Sequence, residues 1–395
     1  MLIPMSSPDL GEAEIAAVNQ VLATPCLSIG PQVSAFEQAI AARAGARHAV
    51  AINSGTSGLH LCIIAAGVEA GDLVITTPFS FVASANCILY ERAIPIFVDV
   101  DERTGNIDPQ QVAQAARDLA AGGAAAARWL PRTVSIADTK RLAAILPVHA
   151  FGQPADMGRI VNAAHDLGLP TIEDACEAIG AEYEGRPAGT LGDAAVFAFY
   201  PNKQMTTGEG GIIVTDRPEW DALFRSLRNQ GRDVFDEWLD HTRLGYNYRL
   251  DEMSAALGLA QLKRLDKLLA KRERVAGWYN QRLKDHELLR IPFIAASTTR
   301  MSWFVYVIRL SAKTDRTALM AALRAVGIPS RPYFTPIHLQ PFYTGRFGYR
   351  RGDYPVTEAL GDTCLALPFS GVMTEEQVDY VCQHLAAALG RCQRA

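Results

Sequence analysis

Short apolar segments that alternate with helical stretches constrain the fold of this chain more than any other feature. Helices are predicted to begin near Ser57 and Ser80, after the first and second strands, and to cover about residues 155–167. The predicted strands are 49–52, 73–76, 94–98, 143–148, 171–173, 194–199 and 211–215. Strands that are apolar without alternation are buried on both faces, as in parallel sheets. The sequence therefore predicts an α/β fold with a mostly parallel sheet flanked by helices.

The chain length of 395 residues is sufficient for one large core and a smaller one. A long amphipathic helix, continuous or broken once, is predicted over about residues 251–283 and joins the two. Beyond it, a strand at 304–310 and further helices predict a small α+β domain. We therefore expect a large domain at residues 1–255 and a small C-terminal domain at residues 256–395.

Charge and composition narrow the class of protein. The net charge of −4 gives no electrostatic reason to expect nucleic acid or an anionic membrane surface as a partner. The N-terminal residues lack the basic and apolar segments of a signal peptide, and no apolar run reaches about 18 residues, so we expect a cytoplasmic protein. The seven cysteines are scattered without C-x-x-C spacing, which predicts reduced core residues and neither a disulfide framework nor a metal site.

Lys203 is a candidate nucleophile because it follows an apolar run and precedes a glycine-rich turn. The only other lysine in the first 262 residues is Lys140, so arginine supplies nearly all of the positive charge in this part of the chain. Burial at a strand end disfavours the ammonium form, lowers the pKa and frees the lone pair to form a Schiff base with an aldehyde. The alternative is a lysine whose stem packs at a strand end while its ammonium reaches water.

Asp174 favours the chemical interpretation of Lys203, because it ends a second predicted strand about 30 residues upstream. A lysine that bonds an aldehyde and an aspartate that pairs with a pyridinium nitrogen are the two groups that pyridoxal phosphate chemistry requires. The alternative role for Asp174 is a helix N-cap. Glu177, one turn further on, can reach the 3′-oxygen of such a cofactor or be a solvated helix residue.

The segment Ser54-Gly-Thr-Ser57 follows the first strand and opens a helix. Backbone N–H groups and small hydroxylated residues at a helix N-terminus form an anion site suited to a cofactor phosphate, although they also serve as plain helix caps. Phe79 and Phe81 lie just beyond the second strand, where a flat ring can stack on a pyridine face. Taken singly, either ring is more often a core residue.

Six motifs, in this order and spacing, carry a resemblance to a known family. They are Ser54-Gly-Thr56, Phe79-x-Phe81, Glu173-Asp-Ala-Cys-Glu177, Phe197-x-Phe-Tyr-Pro-Asn-Lys203, Gly208-Glu-Gly-Gly211 and Gly245-Tyr-Asn-Tyr-Arg249. With them the chain resembles, over essentially its whole length, the nucleotide-sugar aminotransferases of the DegT/DnrJ/StrS type. The resemblance implies the fold-type-I architecture of aspartate aminotransferase, pyridoxal 5′-phosphate as cofactor and a homodimer with shared active sites.

The resemblance also implies a role for each residue that matches a family motif. Lys203 is the Schiff-base lysine, Asp174 is the partner of the pyridinium nitrogen, and Phe81 is the stacking ring. Glu177 stands where the family often has Gln or Glu near the ring oxygen. These four residues would hold the ring of the cofactor.

The phosphate of the cofactor is expected at Gly55, Thr56 and Ser57. Asn247 matches an asparagine that the family tends to supply across a dimer interface to the phosphate. Arg249 can do part of that task, and the sequence does not separate the two. These residues define the expected phosphate site.

Two features depart from the family pattern. Many members have a serine that binds the phosphate five residues before the lysine, whereas this chain has Ala198. An insertion at about residues 115–141 adds surface to which the sequence assigns no chemistry. The departure at Ala198 makes the phosphate site harder to assign than the lysine, and Ser57 or a backbone group could compensate.

The sugar pocket is expected at a proline-rich segment near residue 336. His338 resembles a histidine that lines this pocket, and Tyr333 and Arg331 lie beside it in the sequence. Arg331 could pair with a diphosphate through two parallel hydrogen bonds, or be a surface charge. This segment is therefore the predicted contact for a nucleotide-linked substrate.

Together these observations predict an aminotransferase that moves an amino group from an amino acid, by resemblance L-glutamate, to a nucleotide-linked keto-sugar. A sugar dehydratase of the same family is an alternative, in which the Schiff-base lysine is replaced, often by histidine; Lys203 argues against it. A non-catalytic sensor that binds pyridoxal phosphate is a second alternative, but no basic or helix-turn-helix segment is appended. A nicotinamide dehydrogenase is disfavoured because no G-x-G-x-x-G follows the first strand. The sequence leaves open which sugar, which nucleotide and which carbon, C3 or C4.

Overall fold

A computed structural model of the protein describes residues 1–233 and 240–393. The helices are α1 (Glu12–Leu22), α2 (Pro31–Ala44), α3 (Gly55–Ala65), α4 (Ala83–Tyr90), α5 (Pro109–Ala121), α6 (Gly123–Ala127), α7 (Met157–His165), α8 (Pro218–Arg228), α9 (Glu252–Leu262), α10 (Leu265–Leu283), α11 (Arg316–Ala325), α12 (Pro341–Phe347), α13 (Pro355–Thr363) and α14 (Glu375–Leu389). The strands are β1 (His48–Ile52), β2 (Leu73–Thr76), β3 (Ile94–Phe97), β4 (Leu142–Ile145), β5 (Ile172–Asp174), β6 (Glu182–Tyr183), β7 (Arg186–Pro187), β8 (Ala194–Ala198), β9 (Gly211–Thr215), β10 (Leu289–Arg290), β11 (Thr298–Arg300), β12 (Tyr306–Leu310) and β13 (Cys364–Leu367). Along the described residues, none of the helices is both long and apolar enough to span a bilayer.

A mostly parallel sheet organises the larger part of the molecule. Its strand order is β3-β2-β4-β5-β8-β9-β1, in which two parallel bridges, Ile145 with Thr171 and Val148 with Asp174, join β4 to β5. The pairs β3-β2, β2-β4 and β5-β8 are parallel, and β9 runs antiparallel to both of its neighbours, β8 and β1. The prediction of a mostly parallel sheet is therefore confirmed.

Helices bury both faces of this sheet, which explains why its strands are apolar without alternation. In β8, Ala195 and Phe197 belong to the core on the α2 side, whereas Ala194 and Val196 belong to the core that includes α3 and α8. Successive side chains of a strand point to opposite faces, so a strand covered on both sides must be apolar at every position.

The C-terminal part of the chain forms another core around the antiparallel sheet β10-β12-β13, with apolar side chains from α10, α11 and α14. Ile3 also lies in this core at 1% exposure, and its backbone N–H donates to Gly327 O at 3.1 Å. The N-terminal residues therefore pack against the C-terminal part. The division into residues 1–255 and 256–395 stays a prediction.

The long connecting helix of the sequence prediction is broken into α9 and α10 at residues 263–264. Asp251 caps α9, because its Oδ1 accepts the N–H of Ser254 at 2.9 Å. Helix α10 contributes Leu265 to the core of the large sheet and Tyr279 to the C-terminal core. Helix α10 therefore connects the two cores directly.

The insertion at residues 115–141 contains the end of α5, the short α6 and a loop. Thr133 Oγ1 donates to Arg346 O at 2.9 Å, and Arg132 Nη2 lies 2.6 Å from Asp353 Oδ1. The insertion therefore packs against the segment that includes the end of α12.

Candidate active site

A cavity of about 920 Å³ opens at the carboxyl ends of β5 and β8, beside the N-terminus of α3. Ligands of open α/β sheets gather at this edge. Of the residues predicted from the sequence, those that line the cavity are Lys203, Asp174, Glu177, Gly55, Thr56, Phe81 and Tyr333. Those that do not are Ser57, Asn247, Arg331 and His338.

The amine of Lys203 faces the cavity from a turn just after β8. The turn is closed by the N–H of Lys203, which donates to Tyr200 O at 2.9 Å. Lys203 Nζ lies 3.5 Å from Glu177 Oε1 and 3.8 Å from the centroid of the Phe304 ring, and the side chain is 13% exposed. The amine is thus held between a carboxylate and an aromatic face, yet it remains reachable from the cavity. Phe304 was not predicted from the sequence, where its pattern is that of an ordinary apolar strand residue.

Glu177 is a buried carboxylate with two partners. Its Oε2 accepts the N–H of Phe151 at 2.9 Å, and its Oε1 faces Lys203. Burial raises the pKa of Glu177, and the nearby charge of Lys203 opposes that shift. Glu177 can accept a hydrogen bond from the lysine amine or from a ring hydroxyl held beside it.

Asp174 ends β5 with its side chain buried in the wall of the cavity. Ser84 Oγ donates to Asp174 Oδ2 at 2.7 Å, and the N–H of Cys176 donates to Oδ1 at 3.2 Å. Ser80 Oγ lies 2.8 Å from Ser84 Oγ, which extends the chain of hydrogen bonds. These donors fix the carboxylate in the cavity wall, where it can pair with a pyridinium nitrogen. Sequence reasoning missed Ser84; its spacing of four residues from Ser80 was the available signal.

The residue before Asp174 anchors that strand end to the neighbouring loop. Glu173 points to the opposite face of the sheet and is fully buried, where it accepts the N–H groups of Gly189, Leu191 and Gly192 at 2.7–2.8 Å. Its Oε2 also lies 2.9 Å from His149 Nε2. Burial alone would raise the pKa of Glu173, but the hydrogen bond and charge of His149 together with the backbone donors lower it. A fully satisfied buried carboxylate anchors β5 beside Asp174.

The N-terminus of α3 supplies the anion site. Ser54 Oγ accepts the N–H of Ser57 at 3.1 Å, and Ser57 Oγ donates to Asn53 Oδ1 at 2.7 Å. The N–H groups of Gly55 and Thr56, in the same first turn, have no intrahelical acceptor and lie at the cavity wall. The hydroxyl of Ser57 is thus engaged with Asn53 and lies outside the cavity wall, so the structure does not support Ser57 as the replacement for the family serine.

Gly55 is required by close packing at this anion site. A Cβ built at Gly55 would lie 2.8 Å from Cys176 Sγ and 2.9 Å from Ala198 Cβ, both closer than real Cβ contacts. Ala198 therefore lies directly beside the first turn of α3. Because Ala198 lacks the hydroxyl of the family serine, the backbone N–H groups of this turn remain as donors. We expect phosphate binding here to depend on the helix N-terminus more than on a side chain.

The two phenylalanines of the second strand end have different roles. Phe81 is 65% exposed and lines the cavity, so its ring is available to stack on a bound ring. Phe79 is fully buried, with its ring 5.9 Å from that of Phe151 and 5.6 Å from that of Phe334. Phe79 is thus a core residue, and Phe81 is the one that reaches the cavity.

The structure does not bring every predicted substrate residue into the cavity. His338 is fully buried, with Nε2 3.0 Å from Glu358 Oε1, because the short 3₁₀ turn Ile337–Leu339 directs it into the core. Arg331 is exposed and donates to Ser330 O. Tyr333 does line the cavity, and burial raises its pKa to about 12. Tyr333 is the only one of these three predicted substrate contacts that reaches the cavity.

Asn247 and Arg249 lie outside the cavity of this chain. Asn247 is exposed, and its carbonyl accepts from Asn53 Nδ2 at 3.4 Å. Arg249 Nη1 donates to Asn229 Oδ1 at 3.0 Å. Neither side chain contributes to the cavity wall of its own chain.

The cavity fits pyridoxal phosphate in the chemistry of its donors. The same cavity is lined by an amine that can bond an aldehyde, by a hydrogen-bonded carboxylate that can pair with a pyridinium nitrogen, and by a helix N-terminus that can bind a phosphate. Lys203, Asp174 and the first turn of α3 would hold the three parts of such a group.

Comparison with known proteins finds matches along almost the entire chain. The profile of the DegT/DnrJ/EryC1/StrS aminotransferase family matches residues 8–386. GDP-perosamine synthase of Caulobacter vibrioides is 38% identical, and the alignment covers 96% of this chain and 96% of that protein. SpsC, a spore coat polysaccharide biosynthesis protein of Bacillus subtilis, is 35% identical, and the alignment covers 96% of this chain and 95% of that protein. The crystal structure of DesV from S. venezuelae in complex with a ketimine intermediate has a TM-score of 0.85 at 30% identity, with 98% of each chain covered. The fold predicted from the sequence is confirmed by this likeness.

Proposed function

Since this chain belongs to the DegT/DnrJ/EryC1/StrS aminotransferase family, we propose that it transfers an amino group to a nucleotide-linked keto-sugar with pyridoxal phosphate as cofactor. The amino donor is an amino acid, and the resemblance makes it L-glutamate. The observation that carries the proposal is the single cavity shared by Lys203, Asp174 and the N-terminus of α3. The names of the relatives, a GDP-perosamine synthase and a spore coat polysaccharide protein, support a sugar as the acceptor.

Each residue has a distinct task in this reaction. Pyridoxal phosphate, when bound, supplies an aldehyde that bonds to amines and a ring that withdraws electrons from the carbon next to the bonded nitrogen. Lys203 Nζ would hold the aldehyde and would serve as the acid–base group for the proton at the reacting carbon. Asp174 would pair with the ring nitrogen and keep its proton in place. Glu177 accepts a hydrogen bond beside Nζ and keeps the amine in place.

The cavity also has the size and the aromatic surfaces that a large acceptor needs. A volume of about 920 Å³ lies at the upper end of ordinary small-molecule pockets. Tyr333 and Phe334 form one wall, and Phe342 of α12 forms part of another. Of the described residues that line it, Lys203 is the only Lys or Arg. A diphosphate-bearing acceptor therefore needs further cations, which a second subunit could supply.

The alternatives make different demands on the site. A dehydratase of this family lacks the lysine, and the position holds Lys203 here. A sensor would need no group that moves protons at the reacting carbon, yet Lys203 Nζ is paired with Glu177 and open to the cavity. The transaminase proposal accounts for both observations. The cytoplasmic location expected from the sequence stays a prediction.

The acceptor class is tested by following labelled nitrogen. Enzyme first converted with isotopically labelled L-glutamate is expected to pass the label to a nucleotide-linked 4-keto-6-deoxy or 3-keto sugar, detected by mass spectrometry of the product. UDP-, dTDP- and GDP-linked sugars and ordinary 2-oxo acids form the panel. Label that moves only to 2-oxo acids would remove the sugar from the proposal, and a deoxygenated sugar without label would favour the dehydratase.

We also propose a homodimer in which Asn247, exposed and outside the cavity of its own chain, reaches the phosphate of its partner. Inactive Lys203→Ala chains mixed with inactive Asn247→Ala/Arg249→Ala chains are expected to recover activity in the heterodimer. One of its two sites would combine an intact lysine with an intact Asn247, so up to about half the activity of a wild-type dimer should return. If mass spectrometry shows heterodimers but no activity returns, Asn247 and Arg249 would serve the site of their own chain.

A further inference from the structure

Arg272 is a buried cation whose only hydrogen-bond acceptors among the described residues are backbone carbonyls. It lies on α10 at 4% exposure. Its Nη2 donates to Lys203 O at 2.5 Å and to Asn202 O at 3.2 Å, and its Nη1 donates to Phe304 O at 3.1 Å and to Trp303 O at 3.3 Å. Within the described part of the chain, no carboxylate lies within 4.0 Å of the guanidinium. One side chain therefore joins two separate segments of backbone.

Burial of the Arg272 charge costs free energy, so packing alone does not account for an arginine at this position. A buried charge without a carboxylate partner loses its hydration, and burial lowers the pKa of Arg272 to about 10. Four carbonyl dipoles compensate the charge, which requires the planar fork of donors that arginine has and lysine lacks. An apolar side chain at the same position of α10 would avoid the buried charge, but it would take this donor away from the four carbonyls.

The two segments that Arg272 joins are the two that hold the reactive amine. One contains Lys203 itself, and the other contains Phe304, whose ring centroid lies 3.8 Å from Nζ. Gln204 reinforces this connection, because its Nε2 donates to Ser302 O at 2.6 Å and to Glu177 O at 2.5 Å. The backbone carbonyls of Lys203, Phe304 and Glu177, the three residues that meet at the amine, are thus each held by a side-chain donor.

We propose that Arg272 is a positioning residue for the reaction of Lys203: it fixes the main chain of the lysine against that of Phe304, so that Nζ is held at its reacting position. The inference rests on the proposed function, since it assumes that Lys203 is the reactive lysine. Arg272 acts through backbone carbonyls and touches neither substrate nor cofactor. Misplacement of a reacting group by about 1 Å can reduce a rate by roughly 10²-fold, so loss of this fork should slow the reactions of Nζ.

The test compares Arg272→Met and Arg272→Lys with Arg274→Met, an exposed arginine on the same helix. Apo protein is mixed with pyridoxal phosphate, and formation of the lysine–cofactor bond is followed by visible absorbance, with its pH dependence. In both Arg272 variants we expect this rate and the donor half-reaction to fall by roughly 10- to 100-fold, with KM for the donor nearly unchanged. Arg274→Met should match wild type.

A merely structural role would give a different pattern. In that case folded Arg272→Lys would have a lower thermal midpoint but would form the lysine–cofactor bond at the wild-type rate and with the wild-type pH profile, and the proposal would be overturned. If Arg272→Met does not fold, Arg272→Lys, which keeps the charge, still distinguishes a positioning role from a merely structural one. If wild-type protein formed no bond at Lys203, the proposed function would fail; if it formed the bond but aminated no sugar, only the acceptor assignment would fail and the Arg272 test would stand.

Discussion

Replacement of Lys203 by alanine is expected to abolish transamination in both directions and to leave the fold intact. The variant has no amine that can bond the cofactor aldehyde or move the proton at the reacting carbon. Loss of a general acid–base group alone reduces rates by about 10²–10⁴-fold, so we expect a decrease of at least ~10³-fold in kcat. Removal of the amine takes the charge partner from buried Glu177 and the cation from the Phe304 ring, which costs some unfolding free energy. Glu177 keeps the N–H of Phe151 as a donor, so the fold should remain. Stopped-flow absorbance with L-glutamate measures the loss.

The matched control is Lys140→Ala, which removes the other lysine of the first 262 residues. Lys140 is an exposed residue whose Nζ lies 3.3 Å from Glu69 on the surface. Its replacement should leave kcat and the cofactor absorbance unchanged. If Lys203→Ala, freed of wild-type protein, turned over at a rate near that of Lys140→Ala, the assignment of Lys203 would be wrong.

Asp174→Asn is expected to keep the cofactor and to lose most of the rate. The amide keeps an oxygen for the N–H of Cys176, and its nitrogen can donate to Ser84 Oγ, so the local packing survives. A neutral amide cannot hold the proton on a pyridine nitrogen, so the ring withdraws electrons less strongly. Loss of one preorganised electrostatic group typically reduces kcat by about 10²–10³-fold. Single-turnover kinetics with the amino donor measure the change directly.

Asp166→Asn, a change of an exposed aspartate in the loop before β5, is the control and should behave as wild type. Binding of the cofactor by Asp174→Asn is checked separately, by titration of apo protein, so that weak binding is not mistaken for slow chemistry. An unchanged single-turnover rate in the cofactor-saturated variant would reduce Asp174 to a structural residue at the end of β5.

The sheet could be predicted from the sequence because burial on both faces leaves a local signal. A strand such as β8 is apolar at each of its positions, and that pattern does not depend on which strands are its neighbours. The order β3-β2-β4-β5-β8-β9-β1 and the antiparallel direction of β9 depend on long-range pairing, which no local pattern encodes. The break of the connecting helix at residues 263–264 was allowed by the sequence but not located by it.

The parts of the site that could be predicted from the sequence are those in which the residue type and its place at a strand end indicate a particular chemical role. A lone lysine at a strand end and an aspartate at another are informative, and the structure brings Lys203 and Asp174 to one cavity. His338 shows the limit, because its neighbours in the sequence line the cavity while its own ring points into the core against Glu358. Arg272 shows another: a helix pattern predicts that its position faces inward, but not that four carbonyls meet there. The direction in which a side chain points, and the backbone carbonyls that come together around it, are determined only when the chain has folded.

Lys203 is identified as the cofactor lysine most directly by chemical reduction of the wild-type protein with pyridoxal phosphate bound, followed by peptide mapping. Borohydride makes the bond between a lysine and the cofactor permanent, and mass spectrometry then identifies the lysine that carries it. We expect one modified site per chain, at Lys203, and we expect the modification to disappear when L-glutamate is added before the reductant. Modification at Lys140 or at the lysines beyond residue 262, or labelling of Lys203 that L-glutamate does not prevent, would contradict this expectation.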